Sequence, residues 1–456
     1  MSGGAPHPYV PNTDADRAVI LERLGLTSPE DLFADLPEAH RDPAIELPEA
    51  LTEPELLRHL RQQSAKNRDG GDVPSFLGAG AYRRSVPSIV PYLVSRSEFM
   101  TAYTPYQPEI SQGTLQSAFE FQSVVCELTG LDVSNTGLYD GASATAEACL
   151  LAARVTGRSA VALLEPVHPG ILDVVRTYAY GANLRVDVLR EAAAVTEGHA
   201  CLVVQQPDFL GTLVDIEAVA EAAHGAGSLC VVNADPFALG MLRAPGDAGA
   251  DVVTGEGRDL AGGPQFGGPS LGLFAARSQY LRQMPGRIVG RTTELRGPRG
   301  VDGGELPPRT GYVLTLQARE QFIRRERATS NLSTAQALVA LAFTIALQAL
   351  GSRGLREAAE LCYQRAHDAA RRIEALPGFE VPSRGPWFQE FLVRGPLPAA
   401  ELHRRLAARG IGGGLDVSMR AEPEARETLL CCVTEATPPE HVDALIAALR
   451  DIGGAA

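Results

Sequence analysis

The chain has 456 residues, of which 45% are hydrophobic, so it can bury the core of one large α/β domain with smaller units beside it. A net charge of −14 argues against a nucleic acid as main partner, because a phosphate backbone binds a basic surface. No secretory segment follows Met1, and the longest apolar run, residues 335–347, is too short to span a bilayer. We therefore expect a cytoplasmic protein that does not use a membrane, with seven reduced cysteines and no metal site.

Helix start signals dominate the first 70 residues. Thr13 precedes an acidic first turn, Ser28 precedes Pro29, and Thr52 stands three residues before Glu55, as in a capping box. Lys66 falls at the end of the third predicted helix, where a solvated position is the usual one for lysine. We predict an N-terminal helical segment over residues 1–70.

Residues 76–113 are rich in glycine, proline and aromatic residues, and lack a clear periodicity. Five polar and aromatic side chains crowd the second half of this stretch: Tyr103, Tyr106, Gln107, Glu109 and Gln112. Loops that carry function have this composition, but so do ordinary surface connections. Composition alone leaves both interpretations open.

A helix then runs to Leu128, and the stretch Asp140-Gly141-Ala142-Ser143-Ala144 begins another that ends near Thr156. Small and hydroxyl residues at a helix start leave backbone N–H groups free for a phosphate. The same residues also form a plain N-cap, which is the more common use of such a sequence and the one we favour in isolation.

Strands and helices alternate over residues 161–275, which predicts crossover units and a largely parallel sheet. His168 and Asp235 directly follow strands of this region, and ligands of parallel sheets bind beyond the carboxyl ends of the strands. We predict a large domain over residues 71–330 and a smaller C-terminal α/β domain over residues 331–456. Residues 291–309 look like an exposed excursion and residues 335–350 like a buried helix. The basic residues 319–331 form either a helix face in water, which is the usual case for a run of charges, or an anion-facing patch.

A carboxylate such as Asp235, followed about twenty residues later by a strand and a loop, is typical of pyridoxal phosphate (PLP) enzymes. In them the Asp pairs with the pyridinium nitrogen, and a lysine of the loop forms the Schiff base. The loop over residues 255–260 has no lysine, and Lys66 is the single lysine among 41 basic residues. Arginine cannot replace a catalytic lysine, because its guanidinium stays protonated.

Several long motifs give the chain a family resemblance: PSFLGAGAY (74–82), SRSEFMTAYTPYQPEISQGTLQ (95–116), YDGASATAEA (139–148), ADVVTGEG (250–257), QFGGPSLG (265–272), MPGRIVG (284–290) and RRERATSN (324–331). With them the chain resembles the P-protein family of the glycine cleavage system, the decarboxylating glycine dehydrogenases. It is most similar to the alpha branch, subunit 1, of the two-subunit bacterial form. Two departures are an excursion over residues 295–309 that looks longer than usual and Arg327, where relatives often have lysine.

The resemblance implies an α/β fold of the fold-type I PLP-dependent transferases. It also implies cofactor-binding positions at Asp140, Gly141 and Ser143 for the phosphate, at His168 for ring stacking and at Asp235 for the pyridinium nitrogen. The beta subunit of the family carries the lysine and binds PLP covalently, so these positions in the alpha chain are expected to be vestigial. The active site is expected where alpha and beta meet.

Three functions remain as hypotheses. In the first, the chain is the alpha subunit that, with the beta subunit, decarboxylates glycine and passes the aminomethyl group to the lipoyl arm of H-protein. It would then contribute Tyr103, Tyr106, Gln107 and Glu109 to the shared site. In the second, it is a non-catalytic scaffold or regulatory pseudoenzyme. A nucleotide-binding dehydrogenase is weakly supported, because the segment that begins at Gly255 lacks the third glycine of that fingerprint.

Overall fold

A computed structural model of the chain describes residues 9, 11–41, 43, 46–67, 73–100, 104–265, 267–298, 301, 304–316, 321–383, 385–420 and 422–454. The chain divides into two compact units, Met1–Arg68 and Asp69–Ala456. The predicted boundary between residues 330 and 331 lies inside the second unit and stays a prediction.

The first unit consists of two α-helices and short 3-10 turns. Helix α1 spans Asp14–Leu24 and helix α2 spans Glu53–Ser64, with Thr13 and Thr52 as their N-caps. Both caps are capping boxes, in which the side chain of the third helical residue bonds back to the cap, so the predicted helix starts are confirmed. Lys66 is exposed just beyond α2 and donates a hydrogen bond to Gln63 Oε1 at 2.8 Å.

A seven-stranded sheet forms the centre of the second unit, with the strand order β1-β7-β6-β5-β4-β2-β3. Neighbours from β6 to β3 pair parallel, whereas β7 pairs antiparallel with both β6 and β1. The strands are β1 Val133–Ser134, β2 Ala160–Leu164, β3 Arg185–Leu189, β4 His199–Gln206, β5 Leu229–Ala234, β6 Val252–Glu256 and β7 Gly272–Ala276. The largely parallel α/β sheet predicted from the sequence is confirmed.

Helices cover both faces of this sheet. They are α3 Ile89–Val94, α4 Gln112–Thr129, α5 Gly141–Thr156, α6 Pro169–Gly181, α7 Ile216–Gly225 and the short α8 Arg258–Ala261. In β5, Val231 packs in the core beneath α5 and α6, whereas Val232 packs with α4 and α7 on the opposite face. Alternate residues of one strand therefore enter different cores, which explains why the strand sequences are apolar throughout.

A second sheet follows the long helix α9, Ala337–Glu374, which is interrupted at Gly351 by a backbone φ of 64°. The strands are β10 Glu390–Arg394, β11 Leu415–Asp416 and β12 Thr428–Cys432 in the antiparallel order β10-β12-β11, with α10 Ala399–Ala407 and α11 Pro439–Gly454 packed against them. Within the described residues, α9 is the one helix long and apolar enough to cross a membrane. Its side chains, such as Phe343 and Ala366, enter the cores of both sheets instead.

For residues 288–331 the structure adds a hairpin and corrects one expectation. The predicted excursion is flanked by an antiparallel hairpin of β8, Ile288–Thr293, and β9, Thr310–Thr315. The basic stretch forms a 3-10 turn over Gln321–Arg327, and Arg325 has a positive φ of 53°, so no regular helix face forms there. The strand pattern does not stand out in the sequence, because side chains distant in the chain bind both strands of the hairpin.

Two glutamine side chains on α4 hold the hairpin. The Gln122 amide donates to Val289 O at 3.0 Å and accepts from Val289 N at 2.8 Å. Gln112 makes the same pair of bonds with Tyr312, at 2.9 and 2.8 Å. Each amide acts as a one-residue strand partner, so α4 fixes both strands of the hairpin.

The single tryptophan, Trp387, gives a spectroscopic test of the packing beside α9. The His367 ring stacks on its indole at 3.5 Å with an interplanar angle of 5°, and burial lowers the pKa of His367. An imidazolium in contact with an indole quenches its fluorescence. We expect fluorescence to stay constant at neutral pH and to fall with a midpoint below the ordinary histidine value of about 6.5.

The unfolded chain takes up this proton at higher pH than the folded chain, so stability should also decline as pH falls through that range. A fluorescence titration from pH 8 to 5 measures the midpoint, and His367→Gln should abolish the step. A midpoint at or above 6.5, or an unchanged titration in the variant, contradicts the assignment.

Candidate functional site

A cavity of about 510 Å³ lies beyond the carboxyl ends of β4, β5 and β6. The structure brings four of the predicted cofactor positions to its wall: Asp140, Gly141, His168 and Asp235. Ser143 does not line the cavity, since its backbone N–H and hydroxyl are engaged with Asp140 in the N-cap of α5. Further parts of the wall come from residues 79–84, which precede α3, from α6, from the ends of β4 and β5, and from the loop after β6.

Asp235 is already paired with a cation of its own chain. Arg84 Nη2 lies 3.3 Å from Asp235 Oδ2, and the Arg84 side chain is 1% exposed. Gln389 Nε2 donates to the same oxygen at 3.1 Å, and Phe237 N donates to Oδ1 at 2.9 Å. Both carboxylate oxygens of Asp235 are therefore engaged.

Arg84 is the centre of a wider buried network. Its Nη1 lies 3.2 Å from Glu435 Oε2 and 3.3 Å from Cys362 Sγ, and its guanidinium carbon is 3.8 Å from the centre of the Phe237 ring. Burial alone would lower the pKa of Arg84, but the attraction of Asp235 and other anionic neighbours outweighs it and raises the pKa. The guanidinium thus stays charged and links the seven-stranded sheet to the loop after β12.

The N-terminus of α5 is occupied by a second internal group. Glu256, the last residue of β6, accepts hydrogen bonds from Gly141 N at 3.1 Å, Arg258 N at 2.9 Å and Leu271 N at 2.9 Å. Burial raises the pKa of Glu256, and these three hydrogen bonds offset only part of that increase. A carboxylate is an effective partner here, because the helix dipole and the free N–H groups favour an anion.

Two further carboxyl groups beside the cavity hold residues 79–84 in place. Glu390 accepts from Ala79 N at 2.6 Å and from Tyr82 Oη at 2.7 Å, and Asp259 accepts from Tyr82 N at 2.9 Å. Burial raises the pKa of Glu390 to about 7 and also raises the pKa of Asp259. The segment before α3 is thereby tied to both sheets.

His168 has both ring nitrogens engaged within the protein. Nδ1 accepts from Gly170 N at 2.9 Å and Nε2 lies 3.1 Å from Ala79 O, which fixes the neutral tautomer with the proton on Nε2. Burial lowers the pKa of this imidazole, and its ring contacts Phe209 edge to face at 5.1 Å. It serves as the N-cap of α6.

The residues of this cavity do not fit a PLP molecule. Glu256 fills the anion position at the α5 N-terminus, and Arg84 neutralises the carboxylate that would face a pyridinium nitrogen. The Gly141 backbone also lies so close to β6 that a Cβ there would stand 3.0 Å from Gly255 O. Since Lys66 is the only lysine of the chain, every residue that lines the cavity is something else.

The predicted catalytic loop lies elsewhere. Tyr103 falls outside the described residues, and Tyr106, Gln107 and Glu109 are exposed and do not line the 510 Å³ cavity. Their loop borders a second cavity of about 600 Å³, which includes Pro105, Arg287 and the first turn of α9 in its wall. The guanidinium carbon of Arg287 lies over the Tyr106 ring, 5.8 Å from the ring centre.

Sequence reasoning missed Arg84, Glu256, Gln389 and Glu390. Arg84 lies two residues after the motif PSFLGAGAY, and Glu256 belongs to the motif ADVVTGEG. Glu256 also falls within residues 255–260, the stretch in which a PLP enzyme would have its lysine. An acidic residue at the end of a strand opposite a helix N-terminus was the available signal. Gln389 and Glu390 gave no such signal, because they approach the cavity only through the packing of the two sheets.

Comparison with known proteins identifies relatives over almost the full chain. The family model of the glycine cleavage system P-protein matches residues 7–449. A protein of Thermomicrobium roseum called probable glycine dehydrogenase (decarboxylating) subunit 1 is 45% identical over 97% of this chain and 99% of its own. A Brevibacillus brevis protein with the same name is 45% identical over 97% of this chain and 98% of its own.

Solved structures give the same result. A crystal structure described as glycine decarboxylase (P-protein) of the glycine cleavage system, in inhibitor-bound form, aligns with a TM-score of 0.85 and 41% identity, covering 98% of this chain and 100% of that one. A Burkholderia pseudomallei sphingosine-1-phosphate lyase aligns with a TM-score of 0.64 at 16% identity, covering 91% and 94%. At that identity the second match establishes only the shared fold. The predicted fold class, that of the fold-type I PLP-dependent enzymes, is confirmed.

The buried network predicts the effect of removing its cation. Arg84→Met leaves Asp235 and Glu435 without their partner in a dry environment, so we expect a loss of about 3–5 kcal/mol of folding free energy. Arg353→Met is the matched control, because it removes an exposed ion pair with Glu357 and should cost at most about 1 kcal/mol. Denaturant unfolding compares the two variants, and equal losses would contradict the central role of Arg84.

Proposed function

Since the chain belongs to the glycine cleavage system P-protein family, we propose that it completes an active site whose lysine and cofactor come from a second subunit. The chain functions as one of the two subunits of a decarboxylating glycine dehydrogenase. The relatives carry the name of that enzyme's subunit 1, which supports this function over the scaffold alternative.

One observation carries the proposal. The chain has the cavity of a PLP-dependent fold, but that cavity contains no lysine and its anion and carboxylate positions are filled from within. A PLP enzyme needs a lysine amine to hold its cofactor, and arginine cannot supply one. We therefore assign PLP, covalently bound, to the second subunit.

In the proposed reaction, glycine loses CO2 and its aminomethyl group passes to the lipoyl arm of H-protein. Bound PLP supplies an electron sink for the decarboxylation, and the lipoyl disulfide is the oxidant. The bacterial relatives and the seven free cysteines of the described chain support a cytoplasmic location for this chemistry.

The contribution of this chain is proposed to come from the loop of Tyr103, Tyr106, Gln107 and Glu109. Gln112 holds the end of this loop, because its amide donates to Pro108 O at 2.7 Å as well as to the hairpin. In the described part of the loop, Tyr106, Gln107 and Glu109 are exposed beside the 600 Å³ cavity, while the end of the loop is anchored by Gln112. Such a surface can position a substrate or close a site on a neighbouring subunit, since a side chain held by a rigid element loses little entropy on binding.

The lysine count provides the first test. We expect borohydride reduction of the assembled two-subunit enzyme with PLP to label only the second subunit, and Lys66→Arg to leave glycine decarboxylation unchanged. Lys66 is exposed at a helix end and lacks the desolvated surroundings that activate a Schiff-base lysine. Peptide mass spectrometry locates the adduct. A stoichiometric adduct on Lys66 that disappears together with activity in Lys66→Arg would overturn the proposal.

The loop provides the second test. Tyr106→Phe removes a hydroxyl and Glu109→Gln a charge with little change in volume, so either should lower glycine turnover by roughly tenfold or more. Assembly, measured by mass, and PLP content, measured by absorbance, should not change. Tyr180→Phe serves as the control, since Tyr180 is a tyrosine of α6 with 88% exposure. Normal turnover in both loop variants would favour the scaffold function.

A further inference from the structure

We propose that Glu256 and Arg84 are built-in substitutes for the phosphate and the pyridinium of a cofactor, so that the cavity is closed to phosphorylated ligands by its own side chains. This inference goes beyond the proposed function, because it concerns what fills this chain's cavity and not which subunit performs the reaction. In this proposal the two side chains also join the strand ends around the cavity, as a bound cofactor would.

Glu256 matches a bound phosphate in its contacts. It brings two anionic oxygens to backbone N–H groups from three separate segments: Gly141 at the start of α5, Arg258 at the start of α8, and Leu271 before β7. Gly141 N is a donor of the kind that a phosphate uses at a helix N-terminus, and the other two N–H groups converge on the same carboxylate. The Asp140 side chain already caps Ser143 N at 2.8 Å, so Glu256 adds a second carboxylate to the same helix end. A phosphate and Glu256 cannot occupy this position together.

Arg84 matches the cationic edge of a pyridinium ring. It donates toward Asp235 Oδ2 and lies with its flat guanidinium on the Phe237 ring, as a planar cation does. Gln389 Nε2 approaches the same Asp235 oxygen from the residue before β10, and Glu435 approaches Arg84 from the residues after β12. The carboxylate that a cofactor would need is thereby compensated by buried groups of the same chain.

The two substitutes also fix the relation between the sheets. Arg84 joins the end of β5 to the loop after β12, while Glu256 joins the end of β6 to the start of α5. A bound cofactor links the same strand ends in a loaded enzyme of this fold. These contacts hold the strand ends together by side chains of this chain alone.

The experiment uses the assembled enzyme, with the second subunit saturated with PLP, and asks whether opening the anion position creates a new site. Glu256→Ala frees three N–H groups that can bind inorganic phosphate. We compare the melting temperature in phosphate with that in chloride at equal ionic strength, and expect the increase in phosphate to be at least about 2 °C larger for Glu256→Ala than for the wild type. Glu256→Gln keeps an acceptor oxygen and should respond like the wild type. Glu217→Ala is the control for loss of a carboxylate, because Glu217 is exposed and paired with Arg243 at the surface.

Calorimetry with pyridoxine 5′-phosphate, which has no aldehyde, tests the closed cavity even if Glu256→Ala does not fold. The wild type should show no saturable binding on this chain, whereas Glu256→Ala should show saturable binding of one pyridoxine 5′-phosphate per chain. The proposal would be overturned if the wild-type chain bound one pyridoxine 5′-phosphate saturably and Asp235→Asn abolished that binding. So would a folded Glu256→Ala variant that responds to phosphate no more than Glu217→Ala. Glycine decarboxylation, assayed in parallel, reports separately on the proposed function.

Discussion

The buried contact between Arg84 and Asp235 is the constraint on which the arrangement of the second unit depends. An unpaired charge in such surroundings costs several kcal/mol, so the pair holds only if both residues and their neighbours stay in register. Glu435 and Gln389 complete that shell from the three-stranded sheet, and Phe237 supplies an apolar wall. One wall of the cavity is therefore a polar network that joins the two sheets.

Much of the fold could be predicted, because its determinants are local in the sequence. Thr13, Thr52 and Asp140 cap the helices that they were expected to cap, and the apolar runs around Val231 form strands covered on both faces. The hairpin of β8 and β9 could not be predicted in this way. Its backbone is held in part by Gln112 and Gln122, which lie about 170 to 200 residues earlier in the chain.

The candidate site also has a part that could be predicted from local sequence and a part that depends on long-range contacts. Strand ends identified Asp235 and His168 as cavity residues, because every parallel sheet places its ligand side at that edge. What occupies the cavity depends on contacts over long sequence separations, such as Arg84 with Asp235 and Gly141 with Glu256. The lysine count left Lys66 as the one candidate for a Schiff base, and only the folded chain shows which residues line the cavity.

The two glutamine amides on α4 have a consequence for how other chains can approach. A two-stranded ribbon exposes an unpaired edge on each side, and such edges recruit further strands from other molecules. Gln122 occupies the outward N–H and C=O of Val289 on one edge, and Gln112 occupies those of Tyr312 on the other. Strand addition is blocked at both places, so a protein that docks on this hairpin must recognise its side chains, and the ribbon is protected against edge-to-edge aggregation.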